Sequence, residues 1–332
     1  MLSPMDAVQD AANDLDAAHC PCRLLKTERA DSVASITVVP PVAGAPPSTG
    51  GRNPAPHCSP SQTIDYLTCP RLWWLKRRWS RRGAWTPHLA LGTAIHRGWA
   101  AMLRGEPNAT TIAQTTLLAE ITEQTGVDYE VAQDTNWPLD DLERLVDRGL
   151  DALERHTPLA GMQPLLIETP LTPHMIPDVI CQDGDSVTVV DLKTTYKTST
   201  YLADTLADTQ HDWQMRQYAW GWRALTDVAP TTMQRVLLVL TPKPAVHVFR
   251  APIGDLDRWY AQAAPIWTHM AALTGATLDA WQLPGATPQC RTKYGRCDFY
   301  DGCWGTDLSD KQLGVLYNQR PPRLETNDAP RP

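Results

Sequence analysis

The sequence predicts an α/β fold with a central mixed sheet flanked by helices. Three observations lead to it. The 332 residues are 42% hydrophobic and 20% charged, an ordinary globular balance that excludes a disordered or fibrous chain. Apolar residues recur at helical spacing over the first half, and the pattern turns to strand-like alternation near Leu165. Helical stretches then alternate with strand pairs to about residue 273, the order that layers helices on a sheet.

Residues 1–60 hold nine prolines and a Pro/Gly/Ala run from Pro40 to Gly51, which buries no core and reads as a disordered tail. Residues 61–79 read as one helix with Ser61 as its N-cap. A second helix follows Pro87, with Leu91, Ile95, Trp99, Met102 and Leu103 on one stripe, and residues 113–124 and 140–155 are further amphipathic helices. Strands are expected at 165–169, 175–182 and 186–194, the last two joined through Asp183-Gly184 as a two-residue hairpin loop. A helix at 212–225, a strand pair at 235–241 and 245–250, and a long helix at 255–273 follow. The folded domain is expected over 61–305, with 306–332 as a C-terminal tail.

Thirty basic residues against 37 acidic ones leave a net charge of -7, which excludes a chain coated in positive charge. The charge is segregated, however. Residues 66–105 carry eight bases (Arg71, Lys76, Arg77, Arg78, Arg81, Arg82, Arg97, Arg104) and no acid, leaving 22 bases and 37 acids, or -15, elsewhere. No run approaches the roughly 20 apolar residues of a membrane helix, and residues 1–16 carry four aspartates where an export signal needs an apolar stretch. A cytoplasmic protein, neither secreted nor membrane-bound, is the expectation.

A loop of Asp183-Gly184 pairs Gln182 with Asp185 and, counting outward, Asp178 with Val189. Asp178, Val189, Asp191 and Lys193 then share a face, with Asp178 and Asp191 as diagonal neighbours. Ionised groups at the end of the apolar run Val187-Thr-Val-Val190 are costly on a buried face unless something compensates them. A hard divalent cation such as Mg²⁺ would do so, since it takes oxygen ligands. The other reading is an exposed sheet face whose Asp and Lys form a pair worth about 1 kcal/mol at most.

Pro177-Asp178 followed by Asp191-Leu-Lys193 resembles the PD-(D/E)xK nuclease signature, and specifically its RecB-like branch, which includes the RecB and AddB nuclease domains and CRISPR-associated and phage exonucleases. The branch carries a metal-binding histidine on an N-terminal helix, matched by Gly92-Thr-Ala-Ile-His96, and a Gln-x-x-x-Tyr motif, matched by Gln214-Met-Arg-Gln-Tyr218. The resemblance runs from about Ser61 to Gly305. It implies that His96, Asp178, Asp191 and the Leu192 carbonyl ligate Mg²⁺ or Mn²⁺ and that Lys193 activates water and faces the scissile phosphate. It also implies that Gln214 and Tyr218 position substrate or brace Lys193. Glu168 is an accessory acid candidate. Pro177 departs from the glycine common there and, lacking an N–H, suggests an edge or bulged strand.

Cys290, Cys297 and Cys303 lie within a 14-residue segment, and Cys69 stands 221 positions upstream of the first of them. This is similar to the iron–sulfur staple of the same branch, which implies a [4Fe–4S] cluster joining N- and C-terminal segments. Zn²⁺ is the alternative, although neither gap has the short spacing of structural zinc. Cys58 and Cys181 read as unliganded, the latter facing away from Asp178. The stretch 71–82 interleaves bases with Trp73, Trp74 and Trp79. Trp73 and Trp74 are expected mostly in the core, with Arg71, Lys76, Arg77, Arg78, Arg81 and Arg82 toward DNA.

The implied function is a metal-dependent DNA exonuclease in recombination, repair or phage DNA processing, in a bacterial or phage-infected cell. A catalytically silent DNA-binding or recombination partner with the same fold is the alternative. The substrate would be DNA with a free end. No helicase P-loop is present in the chain, so unwinding would fall to a helicase or annealing-protein partner.

Overall fold

The computed structural model of the chain describes residues 58–81, 87–125, 138–172, 174–195, 208–209, 211–241, 243–274, 282–285, 290–292, 295–305 and 309–319. The expected tail over 1–57, Arg82, and residues 320–332 lie outside them. Two short helices open the described part, α1 (Pro60–Thr68) and α2 (Pro70–Arg78), where one was expected. Pro70 is the cause: the residue before a proline is pushed out of helical geometry, and Cys69 sits extended at φ -165° and ψ 112°. Cys69 thereby becomes the N-cap of α2, its Sγ accepting the Leu72 N–H at 3.4 Å. The cap of α1 is Ser59, which forms a capping box with Gln62.

Strand β1 (Trp79–Arg81) follows, then α3 (Pro87–Leu103), α4 (Ala109–Thr125) and α5 (Leu139–His156). Leu142, Leu145, Val146, Leu150 and Leu153 bury one stripe of α5, as its 3.6-residue period requires. Next come β2 (Gln163–Ile167), β3 (Val179–Asp183), β4 (Ser186–Thr195), α6 (Trp213–Thr226), β5 (Thr232–Val239), β6 (Ala245–Pro252) and α7 (Leu256–Thr274). The five strands form one mixed sheet in the order β2-β3-β4-β5-β6, with β4 and β5 parallel across the α6 crossover and the other pairs antiparallel. The expected mixed sheet flanked by helices is what the chain forms.

Strand parity divides the core. Ile180, Val187, Val189 and Met233 face a cluster with Trp73, Trp74, Met215, Trp220, Trp259 and Trp267 from α2, α6 and α7. Val179, Cys181, Val190, Leu192, Val236 and Leu238 face the other cluster, built on α3, α4 and α5. Cys181 is therefore on the side expected for it, and burial pushes its thiol up to about 12. Trp73 and Trp74 are core residues, as the helix composition indicated.

The β3–β4 hairpin differs from expectation in its loop. Asp183 pairs with Ser186, so the loop is Gly184-Asp185, and Gly184 takes φ +59° at the first loop position, where turns of the glycine-first type need it. The expected loop had Asp183 first. Val179 now opposes Val190, and one step further the count sets Asp178 against Asp191 directly instead of diagonally. Nor is β3 an edge strand: it lies between β2 and β4, begins only after Pro177, and the irregularity falls instead at Pro164/Leu166.

After α7 come β7 (Arg291–Thr292), β8 (Gly295–Arg296), α8 (Tyr300–Gly305), α9 (Asp310–Leu316) and β9 (Tyr317–Gln319). Residues 309–319 of the expected 306–332 tail thus belong to the fold. Leu313 and Tyr317 are buried in the tryptophan-rich cluster, and β9 pairs antiparallel with β1, from Trp79 opposite Gln319 to Arg81 opposite Tyr317. At the other end the core reaches back to Cys58, which is 4% exposed and whose thiol burial pushes up to about 11.

Close helix packing depends on Gly98 in α3, where a Cβ would lie 2.8 Å from both Ala113 Cβ and Leu150 Cδ1. Gly98→Val is expected to destabilise the fold by about 2 kcal/mol through overpacking, read as a lower midpoint in chemical denaturation.

Candidate active site

Along β4 the odd positions run from the core to an opening: Val187 and Val189 are apolar, Asp191 is fully buried, and the Lys193 side chain is 41% exposed. Lys193 Nζ donates to Asp191 Oδ1 at 2.8 Å. Asp178 stands beside them just before β3, its Oδ2 accepting the Leu192 N–H at 2.7 Å and its Oδ1 lying 3.3 Å from His96 Nδ1. His96 comes from α3, in the helix layer on the opposite side of the sheet from α6. Helix α6 supplies Gln214, whose Oε1 is 3.5 Å from Lys193 Nζ and whose Nε2 donates to Tyr218 Oη at 3.0 Å. An i, i+4 spacing on one helix makes that last contact possible. All the residues expected at the site, His96, Asp178, Asp191, Leu192, Lys193, Gln214 and Tyr218, are brought together.

The electrostatics follow from burial against pairing. Burial raises the Asp191 pKa, with Asp178 adding to the rise and Lys193 and Arg235 opposing it. At Asp178 burial is outweighed by His96, by Lys193 and by the Leu192 N–H, so its pKa falls. Burial likewise opposes the charged forms of His96 and Lys193, yet the carboxylates raise both pKa values. Tyr218 is driven up by burial and stays a neutral hydrogen-bonding phenol.

Two further residues belong to the site. Arg235 pairs with Asp191 in the β4–β5 register, and its Nε lies 3.5 Å from Asp191 Oδ2. Its Nη2 is bonded to Asp212 Oδ2, while Asp212 Oδ1 caps α6 by accepting the Met215 N–H at 2.8 Å. The signal in the sequence was a lone arginine inside the apolar stretch Met233-Gln-Arg-Val-Leu-Leu-Val-Leu240. Glu168 holds φ +41°, its N–H donates to the Asp178 carbonyl at 2.8 Å, and its Oε2 pairs with Arg97 at 2.7 Å. Beside His96 a cleft of about 400 Å³ opens between α3 and the end of β4, lined by His88, Gly92, Thr93, Arg97, Glu168 and Thr194.

A family profile for the PD-(D/E)XK nuclease superfamily matches residues 57–303, most of the chain and all of this constellation. The chain belongs to the PD-(D/E)XK nuclease superfamily. Among curated proteins, no sequence matches it. PD-(D/E)XK proteins are metal-dependent nucleases, which accounts for the carboxylates, and a nuclease domain implies DNA as substrate. The site fits a divalent ion in one respect: Asp191 Oδ2 is buried and accepts no hydrogen bond, with only the Arg235 guanidinium near it at 3.5 Å among the described ion pairs. Among the described residues, no group of three or more His, Cys, Asp or Glu side chains is already arranged to hold a metal. No described helix is long and apolar enough to cross a membrane.

Away from this centre, Cys69, Cys290, Cys297 and Cys303 line one small pocket of about 20 Å³, together with Arg71, Leu72, Phe299, Tyr300 and Trp304. Burial raises the thiol pKa of Cys297 and pushes that of Cys303 up to about 11, with Arg71 opposing the rise at Cys303. Four soft sulfur donors without a carboxylate suit iron–sulfur or zinc ligation better than magnesium. The basic helix is more engaged than expected. Arg71 donates to the Leu283 carbonyl from Nε at 3.1 Å and Nη2 at 2.8 Å, so it serves the cysteine pocket and the returning C-terminal segment. Lys76 pairs with Asp65 at 2.7 Å, and Arg77 and Arg78 lie over the rings of Trp73 and Trp74 at 5.4 and 4.2 Å. Arg81 is in β1.

The Asp178 carboxylate also carries a structural duty, as acceptor for the Leu192 N–H. Asp178→Asn keeps an acceptor oxygen and Asp178→Ala does not. In denaturation measurements the alanine variant is expected to be about 1–2 kcal/mol less stable than the asparagine variant.

Proposed function

We propose that the protein is a RecB-like, divalent-metal-dependent DNA exonuclease acting in recombination, repair or phage DNA processing. The observation that carries the reading is the convergence of Asp178, Asp191 and Lys193 with His96 from one helix layer and Gln214 and Tyr218 from the other. His96, Asp178, Asp191 and the Leu192 carbonyl would hold Mg²⁺ or Mn²⁺. Bound there, the ion supplies a Lewis acid for the scissile phosphate and acidifies a water. Lys193, kept protonated by the two carboxylates, orients the attacking water and faces the charge that develops on the phosphate. Gln214 holds the Lys193 ammonium through its amide oxygen, and Tyr218 fixes Gln214.

The RecB-like assignment is supported by the order of the motifs, with the helix histidine before the hairpin and Gln-x-x-x-Tyr after it. DNA with a free end would approach along Lys76, Arg77, Arg78, Arg81 and Arg82, the ion pair of Lys76 and the ring contacts of Arg77 and Arg78 being exchanged for phosphates. Unwinding would come from a helicase or annealing-protein partner, and the reaction would take place in the cytoplasm. Cys69, Cys290, Cys297 and Cys303 would hold a [4Fe–4S] cluster, with Zn²⁺ as the alternative.

Asp191→Ala and Lys193→Ala are each expected to lower Mg²⁺-dependent degradation of end-labelled linear DNA by at least about 10²-fold, with circular dichroism unchanged. Undiminished cleavage would overturn the site. Circular DNA should survive where linear DNA is degraded, and its cleavage would make the enzyme an endonuclease. Protein purified without oxygen is expected to be coloured and to carry about four irons per chain, and Cys303→Ala should lose them. Colourless, zinc-loaded protein would overturn the cluster and leave the carboxylate site untouched.

A further inference from the structure

Arg235 is buried between two carboxylates and shares itself unequally between them. Its side chain is 9% exposed, opposite Asp191 across the β4–β5 register and below the start of α6. A guanidinium has five donors in a fixed fork and favours both oxygens of one carboxylate. Here Nη2 is bonded to Asp212 Oδ2, while Nε stops 3.5 Å from Asp191 Oδ2. Neither that nitrogen nor that oxygen makes a hydrogen bond, although a charge-assisted contact would close to about 2.8 Å. Asp212 is fixed independently, because its other oxygen caps α6.

The arrangement matters for Asp191. Lys193 already occupies its Oδ1 at 2.8 Å. A full Arg235 fork would take Oδ2 as well and set a second cation on the oxygen that an ion would use. Held off by Asp212, Arg235 sets its charge against the buried carboxylate without occupying it.

Resting on the metal-site reading above, we infer that Asp212 is a positioning residue for the metal site. By taking the hydrogen bonding of Arg235, it keeps that guanidinium off Asp191 and leaves Asp191 Oδ2 free for the divalent ion. The same carboxylate caps the helix that carries Gln214 and Tyr218, so metal site and substrate-facing helix are set from one point.

The test is Mn²⁺ binding to the full chain by calorimetry, with the unfolding midpoint recorded on the same samples. Asp212→Asn keeps a capping oxygen and drops the charge that holds Arg235, and Asp212→Ser is carried in parallel in case the first variant does not fold. Mn²⁺ affinity is expected to fall about tenfold in these variants, the scale seen when a residue that orients a ligand is removed. Adding Arg235→Gln to the same background should restore most of the loss, because the competitor is gone. A purely structural role for Asp212 would lower the midpoint without such restoration. If Asp191→Ala loses Mn²⁺ while Asp212→Asn binds it as wild type does, or if the double variant binds no better than Asp212→Asn, this inference alone is overturned. Equal binding by wild type and Asp191→Ala overturns the metal-site reading and this inference with it.

Discussion

The burial of the Asp191 charge is the constraint around which the rest is arranged. A carboxylate removed from water at the end of an apolar strand costs several kcal/mol unless cations and donors surround it. Lys193 and Arg235 supply the cations, one from the same strand and one from the strand beside it. The parallel pairing of β4 with β5 is what brings Arg235 level with Asp191, and that pairing requires the crossover through α6. The helix arrives with its own cap, Asp212, which takes the other side of Arg235. Charge balance at one residue therefore reaches into the choice of strand order, crossover and helix start.

Parity along β4 separates chemistry from packing within a single strand. Val190 and Leu192 point into the cluster with α3, α4 and α5, while Val187 and Val189 pack on the tryptophan-rich side before Asp191 and Lys193 take over that face. Leu192 does both at once: its side chain is core, and its backbone N–H fixes Asp178. A shift of the β3–β4 register by one residue would turn Asp191 into the apolar cluster and Leu192 toward the site. The glycine-first turn at Gly184 and the apolar residues on both faces hold the register where the chemistry needs it.

Much of this was legible in the sequence, because the signals were local. Helix α5, the β3–β4 and β5–β6 hairpins and the shared face of Asp178, Asp191 and Lys193 follow from periodicity and turn residues within a few positions. The two-residue slip in the hairpin did not move any side chain to the wrong face, since strand parity survives an even shift. What escaped was non-local or depended on one residue's stereochemistry. Pro70 splits the first helix. Arg235 is charged within an apolar strand, and its partners Asp191 and Asp212 are assigned only once β4 and β5 are known to be parallel. Arg71 carries the same charge as its neighbours on the basic helix, and only the return of Leu283 gives it a different use.

That return makes the second long-range closure of the fold, and it is independent of the first. The segment after α7 comes back to α2 through Arg71 on the Leu283 carbonyl and to β1 through its pairing with β9, while the Gly302 N–H donates to Tyr317 Oη within the segment at 3.0 Å. The four cysteine side chains lie inside this closure, with Cys69 on the early strand of chain and the other three on the late one. Tying positions this far apart removes a large share of the disorder available to the unfolded chain, although that gain grows only slowly with loop length. Hydrogen bonds and strand pairing already make the closure, so a group bound by the thiols would reinforce it, and Cys297 and Cys303 pack against the tryptophan-rich core. Chemistry at Asp191 and closure at the cysteines are thus carried by different parts of the chain, the first by β4, β5 and α6 and the second by the Cys69 cap and the segment after α7.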